Sequence, residues 1–360
     1  MAWAHPIADY LAAGETYVKS LAFLRRIHDL VSHEGRLYVG FGDANLNLGR
    51  IFPIAFRAFH AADDTTAYGE LASDEEQVDR YRRVGPDLLM AGVDATEDAY
   101  LGNVYRRAPD GGWVKHRTVQ NGVHVHHVAG FQGAIYAVGS GATEDEWSAH
   151  DIYGHLWRST DGLASWDIVA RVHNQGAGDC RLTRLLPFDD ALYAFGYRTD
   201  DAGFIDALPH AAWDGAALTM LPPDHPLAAA YVIETDRVGP TRALVRGLDF
   251  AASPAVTRAW WFTDAAVATP IAAFAGLTVV DVAVVDATGE VLALTVDGPD
   301  WQPDQPGEKR VRAWVAASDG DAWSVVFDLA TYIAPESIAW WQGAIYLGTS
   351  TGEVWRAVAP

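Results

Sequence analysis

The chain has 360 residues, 50% of them hydrophobic and including 14 Trp, 14 Tyr and 13 Phe, which is ample material for a core and excludes global disorder. Its 47 acidic against 26 basic residues leave a formal charge of -21, which repels nucleic-acid phosphate and anionic membrane at long range and argues against a general DNA, RNA or lipid binder. Cys180 is the only cysteine, so an intrachain disulfide, CxxC redox chemistry and a multi-cysteine zinc site are excluded.

The first residues, MAWAHPIADY, lack the basic-then-apolar pattern of a secretory signal, so cytoplasmic production or a virion-associated location is expected. GRLYVG at 35–40 opens a phrase that returns as GAIYAVG at 133–139, DALYAFG at 190–196 and GAIYLG at 343–348. Weaker copies are DLLMAG at 87–92, ALVRG at 243–247 and GEVLAL at 289–294. Each reads as a turn entering a buried strand. Tyr38, Met90, Tyr136, Tyr193, Val245, Ala293 and Tyr346 then fall 46 to 57 residues apart, which defines seven units.

A second phrase follows the first in several units, as GNVYRR at 102–107, GHLWRS at 154–159 and GEVWRA at 352–357, and further apolar runs such as GGWVKHRTV and ASWDIVARV come after it or, as in HVHHVAG and SIAWWQG, before the first phrase. Every unit therefore supplies four short strands. The predicted fold is all-β: a seven-bladed β-propeller of four-stranded antiparallel blades in one domain spanning 1–360, whose blade faces bury one another. The last unit ends soon after GEVWRAVAP, and GETYVKSLAFLRR at 14–26 is expected to provide its missing outer strand. Residues 60–80 read as an acidic insertion in the first repeat and 297–309 as a turn-rich loop. The apolar stretch at 265–280 is interrupted by Pro270 and meets Asp281, and reads as two core strands around a turn.

Four places carry candidate chemistry. GFGDANLNLGR at 40–50 offers Asp43, Asn45, Asn47 and Arg50 on a glycine-flanked loop, either as sugar-hydroxyl and carboxylate ligands or as an Asx-rich turn satisfying its own backbone. Its Asp-x-Asn-x-Asn spacing starts like a calcium loop, but Gly49 falls at position seven and Ile54 at position twelve, which disfavours an EF-hand and leaves another oxygen-ligated calcium geometry open. No other cofactor is expected. In NGVHVHHVAG at 121–130, His124 and His126 share one face of an extended strand and His127 the other; they serve as wall residues, as a binding or acid/base pair, or as the beginning of a metal site. GDCRLTRLLPF at 178–188 offers Arg181 to an anionic ligand or to an interblade ion pair, with Arg184 on the opposite face unless a bulge intervenes.

The fourth place is STDGLASW at 159–166. Asp161 can accept backbone hydrogen bonds, Gly162 can adopt positive φ, and Trp166 can start the next strand. The stretch resembles the Asp-box of sialidase-type propellers, Ser-x-Asp-x-Gly-x-x-Trp: Ser159, Asp161 and Trp166 match, whereas Leu163 takes the glycine position. The resemblance implies a structural box lying away from any active centre, in a superfamily of glycosidases, polysaccharide lyases and noncatalytic proteins. A sialidase would add three clustered arginines, for which Arg26, Arg181 and Arg184 are available, but the FRIP-like motif is missing and GRIFPIAFR at 49–57 has a different order.

HExxH, P-loop and GxSxG motifs are also missing. The leading expectation is a noncatalytic structural or surface-glycan-binding propeller, with phage tails and other surface assemblies as the analogous setting. A glycan or protein surface, a homo-oligomer or a virion assembly are its expected partners. The alternative is a glycoside hydrolase or polysaccharide lyase acting on an acidic glycan, in which His126 removes a proton, Arg181 stabilises charge and Tyr197 protonates the leaving oxygen.

Overall fold

The computed structural model describes residues 26–42, 54–97, 101–109, 111–142, 152–173, 178–200, 202–286, 288–298, 307–318 and 322–357. All strand pairs within the sheets are antiparallel. The first sheet holds β1 (Asp29–His33), β2 (Arg36–Gly42), β3 (Ala55–Phe59) and β4 (Tyr68–Ala72), with β5 (Gln77–Val78) on the end of β2. The second holds β6 (Tyr81–Val84), β7 (Asp87–Ala91), β8 (Leu101–Arg107) and β9 (Trp113–Gln120). The third holds β10 (Gly122–Phe131), β11 (Ala134–Gly141), β12 (Tyr153–Ser159) and β13 (Asp167–Val172).

In the fourth, β14 (Cys180–Pro187) and β15 (Leu192–Thr199) are joined by β16 (Ile205–Ala207), β17 (Ala211–Trp213) and β18 (Leu218–Met220). The fifth is β19 (Ala230–Arg237), β20 (Arg242–Asp249), β21 (Val256–Thr263) and β22 (Ala268–Pro270). The sixth is β23 (Leu277–Val284), β24 (Val291–Asp297), β25 (Lys309–Ala316) and β26 (Ser324–Thr331), and the seventh β27 (Pro335–Trp341), β28 (Ala344–Thr349) and β29 (Val354–Arg356). These seven sheets make the fold an all-β, seven-bladed β-propeller. Residues 60–80 contain β4 and β5.

Contacts divide the chain into two compact units, Met1–Tyr81 with Ala272–Pro360, and Arg82–Ile271. In the first unit, Leu292, Leu294, Val311, Ala313, Ile338 and Leu347 pack into one buried cluster, each such side chain contributing about 1.5–3 kcal/mol on leaving water. Here the two ends of the described chain meet: the Ile27 N–H donates to the Thr349 carbonyl at 3.0 Å, and the Ser337 hydroxyl to the Ile27 carbonyl at 2.7 Å. The seventh sheet has three strands among the described residues, and the closing strand expected at 14–26 lies outside them except for Arg26, which pairs with Glu336 at 2.7 Å.

In the second unit, Leu89, Val125, Ala137, Trp157, Leu163 and Trp166 form a buried cluster. Leu156, Leu182, Leu185, Ala194 and Trp213 form another, and Phe188, Tyr193, Phe195, Val245, Trp260 and Phe262 a third. Sheets covered on both faces need no apolar-polar alternation, and every residue of β7 is buried. Arg82 of β6 donates to His127 of β10 and to Glu234 of β19, tying three sheets of this unit through one guanidinium.

One local device sets the geometry of the first strand of several sheets. β10, β14, β19, β23 and β27 each contain a register shift, at Val125/His127, Leu182/Arg184, Val232/Glu234, Val279/Asp281 and Pro335/Ser337. The extra residue bends the strand and resets which side chains face which way. Where the shift falls in β10 and β14, the glycine that closes the repeated phrase lies opposite. A Cβ on Gly139 would sit 1.9 Å from the His124 carbonyl oxygen, and one on Gly196 2.1 Å from that of Arg181.

Candidate functional site

In an antiparallel sheet the start of the first strand and the end of the second fall at one edge. In the second unit that edge gathers His124 and His126 from β10, Asp179 and Arg181 at the start of β14, and Tyr197 near the end of β15. Val93 and Asp94 follow β7 at the same edge. Arg181 and Tyr197 are direct cross-strand partners. The Arg181 Nη2 donates to Asp179 Oδ2 at 2.8 Å, and both side chains remain about a quarter exposed, at 26% and 25%.

The imidazoles of His124 and His126 stack at 5.8 Å and 21°, as their spacing predicts. His124 Nδ1 lies 2.9 Å from the Val93 carbonyl oxygen and 3.6 Å from Asp94 Oδ1. A carbonyl only accepts, so Nδ1 carries the proton and Nε2 presents a lone pair, for which the described residues offer no hydrogen bond. Burial, reinforced by the nearby Arg181 charge, pushes the His124 pKa down to about 4. The ring is therefore neutral at neutral pH. Burial drives His126 well below its usual range, helped by His124, Arg181 and Arg184. Its Nε2 is buried and has no hydrogen-bond partner among the described residues.

The bulge at Thr183 changes the expected placement of Arg184. The register shift between Leu182 and Arg184 breaks the strand parity that would set Arg184 opposite Arg181. Arg184 is nevertheless engaged by backbone, its Nε donating to the Ile233 carbonyl at 2.5 Å and its Nη1 to that of Thr183 at 2.7 Å. Arg181 is the guanidinium left at the edge. Burial works against its charge, but Tyr197, Asp179 and Asp94 together outweigh that and hold the proton on. Burial also raises the Tyr197 pKa, with Arg181 opposing, so the phenol keeps its proton. Tyr231, which the sequence does not single out, packs edge-on against Tyr197 at 5.5 Å and 78°.

The edge thus combines an imidazole lone pair, a cation and a protonated phenol, with Asp94 and Asp179 flanking the cation. Cys180 beside them is buried and its thiol is pushed up to about 11 by that burial, which removes it as a nucleophile. Asp43, Asn45, Asn47 and Arg50, and the calcium geometry considered for them, lie outside the described residues. No cluster of three or more His, Cys, Asp or Glu suited to a metal occurs among the described residues.

Ser159–Trp166 forms a closed turn away from these groups. The Ser159 hydroxyl donates to Asp161 Oδ1 at 3.0 Å and accepts from the Leu163 N–H at 3.0 Å, while Asp161 also accepts from the Ser165 N–H and hydroxyl at 3.0 and 2.6 Å. Trp166 is buried, and its Nε1 donates to the Thr118 hydroxyl at 3.2 Å. Leu163 stands at φ 78°, the left-handed region where glycine is cheapest, and its fully buried side chain packs into the core.

No helix among the described residues is long and apolar enough to cross a membrane. No protein-family model matches the sequence. No curated protein matches it either. Among solved structures the chain is similar to the GH74 xyloglucanase from Xanthomonas campestris, with 13% identity and a TM-score of 0.58 over 94% of this chain and 52% of that one. It is similar to the GH74 enzyme of Niastella koreensis, with 12% identity and a TM-score of 0.58 over 91% of this chain and 51% of the other. The β-propeller domain of the Trilobed protease from Pyrococcus furiosus matches at 8% identity and a TM-score of 0.52, over 89% and 87%. The chain spans about half the length of both GH74 structures, and what these likenesses establish is the propeller fold.

Proposed function

We propose that the protein is a carbohydrate-active propeller whose second unit cleaves an acidic glycan by elimination. The observation that carries this reading is the direct opposition of Arg181 and Tyr197 across β14 and β15, beside a neutral His124 with its lone pair on Nε2. In the proposed step the uronate carboxylate pairs with Arg181. His124 Nε2 takes the proton from the carbon beside that carboxylate, the C–H electron pair becomes a carbon-carbon double bond, and the bond to the leaving glycosidic oxygen breaks. Tyr197 gives its proton to that oxygen. His124 replaces His126 as the base because the His126 Nε2 is buried away from solvent; the His126 ring then holds His124 in place by stacking. Kinship of fold with a xyloglucanase supports a carbohydrate substrate at the level of architecture only.

In the same reading the Ser159–Trp166 turn is an Asp-box-like clamp without a part in the chemistry. Incubation of the purified chain with polygalacturonate, alginate and hyaluronan, followed by ultraviolet absorbance and product mass, tests the proposal. Elimination leaves an unsaturated uronate end, and His124→Gln is expected to lower kcat by about 10²–10⁴-fold. Products that have gained water would instead assign hydrolysis, with Asp94 and Asp179 as the carboxylates to test. Binding without cleavage would favour the noncatalytic glycan-binding propeller.

A further inference from the structure

We infer that Phe204 is an aromatic platform for a sugar ring of the same glycan, one step along the chain from the sugar held by Arg181. The inference rests on the proposed site and extends it. Among the described residues the fourth sheet carries an extra strand in the second unit: β16, which pairs with the end of β15 through Arg198–Ala207 and Thr199–Ile205. β15 is the strand that carries Tyr197. Two residues beyond Tyr197 the hairpin begins, and Phe204 stands just past the Thr199–Ile205 pair, roughly 10 Å away at the rise of an extended strand.

The hairpin is braced. Asp200 Oδ1 accepts from the N–H groups of Ala202 and Phe204, both at 2.9 Å, while the Asp200 N–H donates to the Phe204 carbonyl at 2.9 Å. Arg198 Nε donates to Asp206 Oδ1 at 3.0 Å across the two strands. The base is joined to the site itself, because the Asp179 N–H donates to the Thr199 hydroxyl and the Thr199 N–H to the Asp179 carbonyl, at 3.0 and 2.9 Å. On this support Phe204 is 72% exposed and Ile205 40%. An apolar ring whose backbone is held by these hydrogen bonds loses little conformational freedom when a flat partner covers it, and its π face suits the C–H face of a pyranose. In the proposed reading Arg181 takes the sugar carboxylate, and the backbone link from Asp179 to Thr199 places Phe204 further along the same edge, so the occupant is a saccharide whose neighbouring ring lies on Phe204.

The test compares wild type, Phe204→Ala and Phe204→Trp on long and short oligouronates, with the melting temperature of each variant as a check on folding. Phe204→Ala is expected to raise KM for the long chains about tenfold, to leave kcat within about twofold, and to leave short chains unaffected; Phe204→Trp retains the long-chain KM. If no uronate polymer is cleaved, affinity electrophoresis in the same polymers supplies the readout: retardation of wild type and Phe204→Trp but not of Phe204→Ala supports the platform although the elimination reading has failed. Cleavage with an unchanged KM in Phe204→Ala overturns the platform and leaves that reading intact. Equal losses on long and short chains, or retardation of none of the three proteins, also overturn it.

Discussion

At Leu163 two requirements compete. The backbone at φ 78° favours glycine, while the fully buried position favours a large apolar side chain. The left-handed conformation costs roughly 1–2 kcal/mol for a residue with a Cβ, and losing a buried leucine costs about 2–5 kcal/mol, so packing wins. Both Leu163→Gly and Leu163→Ala should therefore destabilise the fold, but alanine by about 1 kcal/mol more, since it forfeits the packing and keeps the strain. Urea unfolding of the two variants checks the order. His155 makes a second residue-scale case: it is fully buried, both ring nitrogens lack a partner among the described residues, and burial followed by the Arg171 charge lowers its pKa to about 3. The unfolded chain takes up a proton near 6.5 and the folded one does not, so stability is complete above pH 6.5 and falls as the pH drops toward 3, by up to ~1.4 kcal/mol per pH unit. His155→Phe should flatten the melting temperature between pH 6.5 and 4 relative to wild type. An unchanged slope would show that other groups carry the acid sensitivity.

The strand phrases were readable as elements because a hairpin, a buried aromatic run and a closing glycine each impose a residue type. What that glycine does was not readable. Gly196 faces the Arg181 carbonyl across a bulge, and a bulge leaves no mark in a strand sequence such as CRLTRLLP. For the same reason the relation of Arg184 to His126 could not be derived from strand parity alone. Gly196→Ala would put a methyl group into contact with backbone, which has no rotamer to yield. We expect a loss of about 1–3 kcal/mol together with a large fall in turnover, because Arg181 moves with its carbonyl. A variant with normal activity would mean that the bulge does not position the cation. His124, Arg181 and Tyr197 were visible as candidates because they sit at strand ends with chemistry to offer. The tautomer of His124 was not, since it depends on the Val93 carbonyl, 31 residues away in the chain.

For the molecule as a whole, seven recurring phrases were enough to read the blade count, because a propeller repeats its constraints in every sheet. Function is less legible: the repeat describes what the sheets share, and the proposed site is made from what one edge does differently. The charge of -21 adds a condition to the proposed substrate. An acidic polymer approaches against a repulsive field, yet at physiological ionic strength that field decays over about 8 Å, so Arg181 decides the interaction only at short range. Association with a uronate polymer should accordingly quicken as salt is raised from about 0.01 M toward 0.15 M. Stopped-flow traces that slow steadily over that interval would contradict a repulsive encounter.

The kink shared by β10, β14, β19, β23 and β27 has an evolutionary corollary. Because side-chain parity restarts at the kink, gaining or losing a residue beyond it leaves the alternation on the other side untouched. Such an architecture can exchange the chemistry at one end of its strands while the interior keeps its old arrangement, which makes it a durable chassis for new specificities.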